Sequence, residues 1–584
     1  MMLVWLIVIP LVAGAAAWSA GGRNPLRARW ICLAGLSVDL AIVLSLWLNY
    51  PDQSLLSRNN AWVLTIHRDW IPQLGIGFDL GLDGLSLLMV TLTVVLGLAS
   101  VVCSWTEITE RVGFFHFNLM AVLCGIIGVF LATDLILFII FWEIMLVPMY
   151  FLIAVWGHEN RNYAAMKFFL FTQAGGLLML AAILALYFVH GRETGIYTFN
   201  YFELLGTSMG SWASMLIMLG FFAAFAVKLP AVPLHTWLPD AHTAAPTAGS
   251  VILAGLLLKT GGYGLIRFVL PLFPEAATQF APVAMTLGVI GILYGAIMTF
   301  AQTDFKRLVA YTSVSHLAFV LLGVFAGNEL ALQGAVMQMI CHGISTGALF
   351  ILAGILQERL HSRDLSRMGG LWAAAPVMGG MTLLFALASL GLPGMGNFIG
   401  EFLVLLGTYQ ADPRMAIPAA AGLVPAAIYS LCMVLWAFLG TRTDDRKIPD
   451  LSTREVALTG VLAVAIVCLG MYPQPVINAA APVFRSVESG AVALSSVEGL
   501  GIQRLSQNGF PVEDGGSIAL PTLITPSPQP SPGGRRNDLE RSHDPLSLWE
   551  RDRVREVRAE ISLYFQYLKH PLQPRVPRIK VTYR

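Results

Sequence analysis

The segment FFAAFAVKLPAVPLHTWLPDAHTAAPTAGSVILAGLLLKTGGYGLIR, residues 221–267, decides the fold. It contains two long apolar stretches, and each carries one lysine, Lys228 and Lys259. Pro230 and Pro233 follow Lys228 closely, and because proline removes a backbone donor and clashes with the preceding turn, a helix must break or kink there. Such a break is tolerated at membrane depth only where the freed carbonyls meet protein or water. The segment therefore predicts an interrupted membrane helix with a charge at the interruption.

The composition of the whole chain is that of a membrane protein. Of the 584 residues, 56% are hydrophobic and only 12% are charged, and the mean hydropathy is +0.70. A soluble domain contains about a quarter charged residues. The formal net charge of +1 excludes a nucleic-acid-binding protein, which would need a basic surface.

Cofactor motifs are missing from the sequence. The six cysteines lie inside apolar runs without a CxxC pair, so they predict neither a disulfide framework nor an iron–sulfur site. No GxGxxG or GxxxxGK[ST] loop follows a plausible strand, so nucleotide binding within this chain has no support in the sequence. We expect no cofactor in this chain.

Apolar runs recur along residues 1–484. A helix needs roughly 20 residues to cross a hydrocarbon core of about 30 Å, and about fourteen runs reach that length. Their centres lie near residues 11, 39, 93, 122, 144, 177, 219, 259, 289, 315, 344, 381, 427 and 464. The fold prediction is an all-α polytopic membrane protein. The stretch between 381 and 427 is long enough for a second broken helix that continues through Glu401.

The loop charges predict the orientation. Connections after odd-numbered helices carry 14 Lys or Arg, including Lys306, and those after even-numbered helices carry five. By the positive-inside rule, both termini are expected on the periplasmic side of a bacterial inner membrane. The first run has no positive residues before it, which argues against a signal peptide.

Five regions are expected. Residues 1–110 form N-terminal membrane helices, 111–270 and 271–440 form two half-channel repeats, and 441–484 form a C-terminal membrane helix. Residues 485–584 contain 14 Lys or Arg and 11 Asp or Glu, against 22 and 24 in the preceding 484 residues. This polar, Pro- and Ser-rich tail is expected to be disordered or a readthrough extension.

Glu143 and the two lysines are ionisable groups inside apolar runs. Inserting an ionisable group near the bilayer centre costs a free energy of about 2.5–3.5 kcal/mol on insertion scales. Such a group is therefore expected to have an interaction partner or a function. The alternative for Glu143 is a neutral carboxyl bonded to a neighbouring helix, and the alternative for Lys228 and Lys259 is a lysine that reaches the membrane interface. Gly255 and Gly262 lie on the same helical face as Lys259 and leave room for a helix or a water-filled crevice there.

Two consecutive helices carry polar faces with one histidine each. A single buried histidine is more often a satisfied core residue, but two on adjacent spans without metal-ligand spacing suit a hydrated proton path. The polar residues are Thr312 and His316 on the first helix and Gln338, His342, Ser345 and Thr346 on the second.

Glu401 follows another interrupted helix, in GLPGMGNFIGEF, residues 391–402. This break lies five spans after the break at Lys228. Because an odd offset reverses the direction of the chain, the two halves are expected to be inverted repeats of five helices each.

Four segments carry a resemblance to a known family. FWEIMLVPMYFLI (141–153), residues 225–267, HGISTGALFILAG (342–354) and residues 391–402 resemble the antiporter-like membrane subunits of the proton-pumping NADH:quinone oxidoreductase, respiratory complex I, and among them subunit M. Glu401 is the discriminating residue, since the related L and N subunits and the cation/proton antiporter subunits typically place lysine there. The resemblance covers residues 1–484.

The resemblance implies roles for six residues. Glu143 and Lys228 match the ion pair of the first half-channel, and Lys259 matches the central lysine. His316 and His342 match the polar bridge onward, and Glu401 matches the terminal acid. It also implies that NADH, FMN, the iron–sulfur clusters and quinone bind to partner subunits, and that L, N and small membrane subunits are neighbours.

Three other functions remain open on the sequence. The same broken helices would serve a subunit of a multi-subunit sodium/proton antiporter or the membrane arm of a hydrogenase. A scaffold that only anchors its neighbours is a third possibility, and the four buried charges argue against it.

Overall fold

The computed structural model describes residues 1–50, 62–440 and 448–485. Within them, 13 helices are long and apolar enough to cross a membrane, and Pro376–Ser389 is a shorter apolar helix. Each of the fourteen predicted centres falls in a helix, which confirms the prediction of an all-α polytopic membrane protein. The tail 486–584 lies outside the described residues.

The helices follow in chain order, and the longest connection, between α2 and α3, contains four short strands. Those up to the first interruption are α1 (Met2–Gly21), α2 (Pro25–Leu48), α3 (Gly84–Glu107), α4 (Val112–Leu131), α5 (Leu135–Ile144), α6 (Leu146–Trp156), α7 (Arg161–Thr194), α8 (Tyr201–Leu204), α9 (Ser211–Lys228) and α10 (Trp237–Ala244). Those after it are α11 (Thr247–Ile252), α12 (Leu258–Gly264), α13 (Leu270–Leu272), α14 (Pro274–Phe300), α15 (Phe305–Phe325), α16 (Glu329–Leu360), α17 (Pro376–Ser389), α18 (Gly396–Ala411), α19 (Pro413–Ala421), α20 (Leu423–Phe438) and α21 (Thr453–Met471). Residues 474–485 are also helical.

Both predicted interruptions are present. Residues 229–236 separate α9 from α10, and residues 390–395 separate α17 from α18. The span Thr247–Leu272 is irregular in a different way, because two π-helical turns, Leu253–Leu257 and Leu265–Val269, lie on either side of α12. These wide turns were not anticipated from the sequence.

Two small antiparallel sheets precede α3 and were also not anticipated. β1 (Trp62–Ile66) pairs with β4 (Leu80–Asp83), and β2 (Asp69–Ile71) pairs with β3 (Ile76–Gly77). The pairs are too short to produce a clear alternating pattern.

The centre of the molecule is enclosed by protein. The membrane windows of the Thr247–Leu272 span and of α15 and α16 are wholly buried, whereas those of α2 and α21 are only 28% buried. A polar side chain on the three central spans therefore faces other helices, where it can find hydrogen-bond partners.

Gly261 allows the Lys259 span to approach α9. A Cβ atom at this position would lie 2.6 Å from the Phe225 carbonyl oxygen and 2.8 Å from the Leu229 nitrogen. Because both are backbone atoms, Gly261→Ala is expected to lower the stability of the assembled protein by about 1–3 kcal/mol through overpacking. The thermal unfolding midpoint of the purified complex measures this effect. Gly460→Ala in α21 is the matched control, since a Cβ there meets nothing within 4 Å; equal midpoints for the two variants would contradict the prediction.

Candidate functional site

Lys259 lies at the centre of the buried region and is fully inaccessible. Its ammonium group donates a hydrogen bond of 2.5 Å to the Ala254 carbonyl oxygen and lies 2.7 Å from Nδ1 of His342. Ala254 lies five residues before Lys259, in the π-helical turn that precedes α12. The wider winding of a π-helical turn accompanies this contact. The lysine is thus held by one backbone acceptor and one exchangeable side chain, and it has no carboxylate partner within the described residues.

The polar chain continues through the two predicted histidines. The ring centroids of His342 and His316 are 5.9 Å apart. On its far side His316 places Nδ1 3.0 Å from Oε1 of Glu401, and its Nε2 lies 3.1 Å from Ser389 Oγ. The Tyr429 hydroxyl lies 3.2 Å from the same Nε2. Every hydrogen-bonding atom of the His316 ring therefore has a partner, which fixes the ring between the central lysine and the terminal acid.

Glu401 is buried and is held by two groups. Its Oε1 accepts a hydrogen bond of 3.2 Å from Gln338 Nε2 in addition to its contact with His316. Gly391, in the break before α18, has φ +77°, and a Cβ there would collide with Oε2 of Glu401. Glycine at this position provides both the left-handed backbone and the space for the carboxylate.

Lys259, His342, His316 and Glu401 therefore form one buried row that crosses from α12 through α16 and α15 to α18. The sequence predicted these four as a relay in the order Lys259, His316, His342 and Glu401. The structure brings them together but reverses the two histidines, because α16 places His342 next to Lys259 and α15 places His316 next to Glu401. Several buried polar atoms beside the row have no protein partner among the described residues: His342 Nε2, Gln338 Oε1, Ser345 Oγ and Thr346 Oγ1. Polar atoms of this kind are able to bind water in a proton path.

The first half is built around Lys228 on α9. Lys228 is buried, yet its ammonium has no hydrogen-bond partner among the described residues. It lies 5.1 Å from the ring centroid of Trp142 and 5.5 Å from that of Phe168, which is the range of cation–π interactions. No salt bridge within 4 Å joins the Lys228 ammonium to the Glu143 carboxylate in the described part of the chain, although the two charges interact electrostatically, so their pairing stays a prediction. Aromatic faces surround the ammonium instead.

Glu143 lies at the edge of the protein interior. It is half-buried on α5, and its carboxylate is near α7, where a Cβ at Gly176 would lie 2.5 Å from Oε1. The Gln173 side chain is within hydrogen-bonding range of the carboxylate. Glu143 directly follows Trp142 in the sequence, and the Trp142 ring contacts the Lys228 ammonium. A shift of α5 would therefore change the surroundings of both the Glu143 carboxylate and the Lys228 ammonium.

Two other buried cations were not singled out from the sequence. Lys306, which we counted among loop residues, is fully buried, and its ammonium donates a hydrogen bond of 2.6 Å to the Ala245 carbonyl oxygen. Arg267 forms a buried ion pair with Asp83 and lies over the Trp62 ring at 4.6 Å. Both lie near helix ends in the sequence, where a charged residue is normally exposed to solvent. Their burial becomes apparent only from the tertiary packing.

Ser389 and Tyr429 were also missed as partners of His316. Ser389 is the last residue of α17 before the break, and Tyr429 is a phenol within the largely apolar α20. A hydroxyl beside a helix break is a usable signal, but a single tyrosine in an apolar helix is not specific. No group of three or more His, Cys, Asp or Glu side chains with metal-binding geometry occurs in residues 1–50, 62–440 or 448–485.

Comparison with known proteins gives consistent matches. Residues 132–427 match the sequence profile of the family described as NADH:quinone oxidoreductase/Mrp antiporter, TM. NADH-quinone oxidoreductase subunit M of Pseudomonas aeruginosa is 54% identical over 510 residues, which are 85% of this chain and 100% of that protein. The subunit M of Escherichia coli is also 54% identical, over 82% of this chain and 96% of its own length.

Solved structures agree with the sequence matches. A chain of respiratory complex I from Thermus thermophilus with bound NADH superposes with a TM-score of 0.74 at 30% identity, covering 83% of this chain and 99% of that chain. A chain of the Mrp complex from Dietzia sp. has a TM-score of 0.73 over 84% of this chain and 98% of its own, but at 19% identity it shares only the fold. From these matches, the chain belongs to the subunit M family of the NADH-quinone oxidoreductases.

Proposed function

We propose that this chain is a proton-translocating membrane subunit of NADH:quinone oxidoreductase, and that protons move along its buried row of basic and acidic side chains. The observation that carries the proposal is the buried row in the enclosed centre: Lys259 contacts His342, His316 contacts Glu401, and the two histidine rings between them have centroids 5.9 Å apart. A structural scaffold would not need four exchangeable groups in a row where apolar side chains pack at lower cost.

The transfer begins at Lys228 and ends at Glu401. Lys228 has no counter-ion in contact, so a change in the field from Glu143 alters how strongly it holds its proton. A proton released toward Lys259 is passed to His342, crosses to His316 and reaches the Glu401 carboxylate. Moving one charge against the membrane potential costs about 2.3 kcal/mol per 100 mV.

The driving reaction belongs to the rest of the complex. We propose that electrons pass from NADH to quinone through FMN and iron–sulfur clusters in partner subunits, and that the resulting disturbance reaches this chain through the membrane arm. The antiporter-like L and N subunits and small membrane subunits are the proposed neighbours. Residues 111–270 and 271–440 are the proposed inverted half-channels, in a bacterial inner membrane with both termini in the periplasm.

Glu143 provides a test at the start of the path. Glu143→Ala removes the acid beside Lys228, and we expect NADH-driven proton pumping to fall by about tenfold or more, since positioned acid–base groups contribute at least that much. Electron transfer to an artificial acceptor at the hydrophilic arm should stay normal. Quenching of a pH-sensitive dye in inverted membrane vesicles measures the pumping.

Glu203→Ala is the matched control, because Glu203 is exposed on α8 and remote from the row in sequence. Wild-type pumping by assembled Glu143→Ala complexes would refute the proposed path. Sodium-dependent pumping in the wild-type complex would favour a sodium/proton antiporter instead.

A further inference from the structure

An open cleft lies where the turn between α1 and α2 meets the turn between α3 and α4. Its volume is about 550 Å³, and it is outside the buried row. The wall is formed by residues of both turns and of the adjoining helix ends: Trp18, Gly21, Gly22, Pro25, Thr109, Arg111, Val112, Gly113 and Phe114. The cleft is thus lined by aromatic and aliphatic side chains together with one guanidinium group, that of Arg111.

Basic residues around the cleft lack counter-ions. Arg111 is in the cleft wall. Arg23 lies in the turn between the wall residues Gly22 and Pro25, and Arg27 lies in the first turn of α2. All three are exposed, and none has an ion-pair partner in residues 1–50, 62–440 or 448–485. Glu110 is the acidic neighbour in sequence, so these three guanidinium groups are balanced by a single adjacent carboxylate. The cleft therefore has an excess of positive charge.

Indole rings place this cleft at the membrane boundary. Trp18 contacts Phe114 and Phe117 with ring centroids 5.5 and 5.0 Å apart, and Trp30 packs edge-on against Trp105 at 5.5 Å. Tryptophan is enriched where the hydrocarbon core meets the headgroups. The positive-inside count assigns this end to the cytoplasmic leaflet, which carries the anionic lipids that attract arginines next to membrane helices.

We propose that the cleft binds an anionic phospholipid, with the phosphate between Arg111 and Arg23 and an acyl chain along Trp18, Val112 and Phe114. Charge complementarity favours this occupant, because the phosphate of an anionic lipid pairs with the arginines and a neutral apolar ligand does not. The close approach of α1 and α4 shapes the site. A Cβ at Gly21 would lie against the Cα of Gly113, so the helix ends meet through glycine backbone and the cleft opens beyond them.

Two chemically different variants test the site. Arg23→Gln combined with Arg111→Gln removes the charge, whereas Gly22→Trp fills the space and leaves both arginines in place. Gly22 tolerates a side chain because a Cβ there meets nothing within 4 Å and its φ is −66°. Arg414→Gln is the matched control at an exposed arginine on α19.

The intact complex is purified in one detergent, and retained cardiolipin, phosphatidylglycerol and phosphatidylethanolamine are quantified by mass spectrometry. Each test variant is expected to retain about one anionic phospholipid fewer per complex, with phosphatidylethanolamine unchanged. Arg23→Lys with Arg111→Lys should restore retention, since the charge is kept. Unchanged anionic lipid in both test variants would overturn the proposal. Loss of a neighbouring subunit with unchanged lipid would overturn it too, and would assign the cleft to a protein interface. Neither outcome depends on proton pumping.

Discussion

Lys259→Ala is expected to abolish nearly all NADH-driven proton pumping while the complex still assembles and still reduces an artificial acceptor. The substitution removes the proposed carrier between Lys228 and His342, since the Lys259 ammonium lies 2.7 Å from His342 Nδ1. A loss of about a hundredfold is expected, the range seen when a positioned acid–base group is deleted. Dye quenching in inverted vesicles, normalised to the amount of assembled complex, measures it.

Lys259→Arg separates proton transfer from fixed charge. Arginine keeps the positive charge, but it does not release its proton at accessible pH. If Lys259 carries a proton, the arginine variant should pump as poorly as the alanine variant. Near-normal pumping by Lys259→Arg would show that only a buried positive charge is needed, and the relay through His342 would be wrong.

Glu401→Gln is expected to stop transfer at the far end of the row. Glutamine has nearly the same shape and still accepts a hydrogen bond from Gln338 Nε2, but it cannot take up the proton that His316 delivers. We expect normal assembly and a loss of pumping of about tenfold or more. The assay is the same, and the amount of assembled complex on a native gel serves as the control for folding.

Glu401→Lys gives a second measurement at the same position. The unpaired Gln338 Oε1 is available to accept a hydrogen bond from the new ammonium, so the lysine has a partner in the buried site. The complex should therefore assemble. Loss of assembly in both Glu401 variants, rather than loss of transport, would favour a structural role for this acid.

The sequence predicted the central row because its members are ionisable residues in long apolar runs. Lys259, His316, His342 and Glu401 are each out of place in such a run, and their chemistry needs no structure to be noticed. Their order in space, with His342 next to the lysine and His316 next to the acid, depends on how α15 and α16 pack and is not encoded in any local pattern.

The side chains that contact Lys228 could not be predicted from the local sequence. An acid and a base on neighbouring spans suggest a pair, but whether they touch depends on rotamers and on the bulk of the rings around them. Trp142 and Phe168 are ordinary apolar residues in the sequence, and only the packing of α5, α7 and α9 places their faces around the ammonium. The burial of Lys306 and Arg267 was not predicted for a related reason, because burial at a helix end depends on tertiary packing.

The full enclosure of α15 and α16 has a consequence for how this chain tolerates change. A helix that borders lipid can exchange one apolar side chain for a larger or smaller one, because acyl chains rearrange around it. A helix surrounded by other helices cannot, since each extra or missing methylene must be absorbed by close-packed neighbours. Freedom to vary in side-chain size should therefore increase outward from these two spans toward α2 and α21, even though all four consist of similar residues.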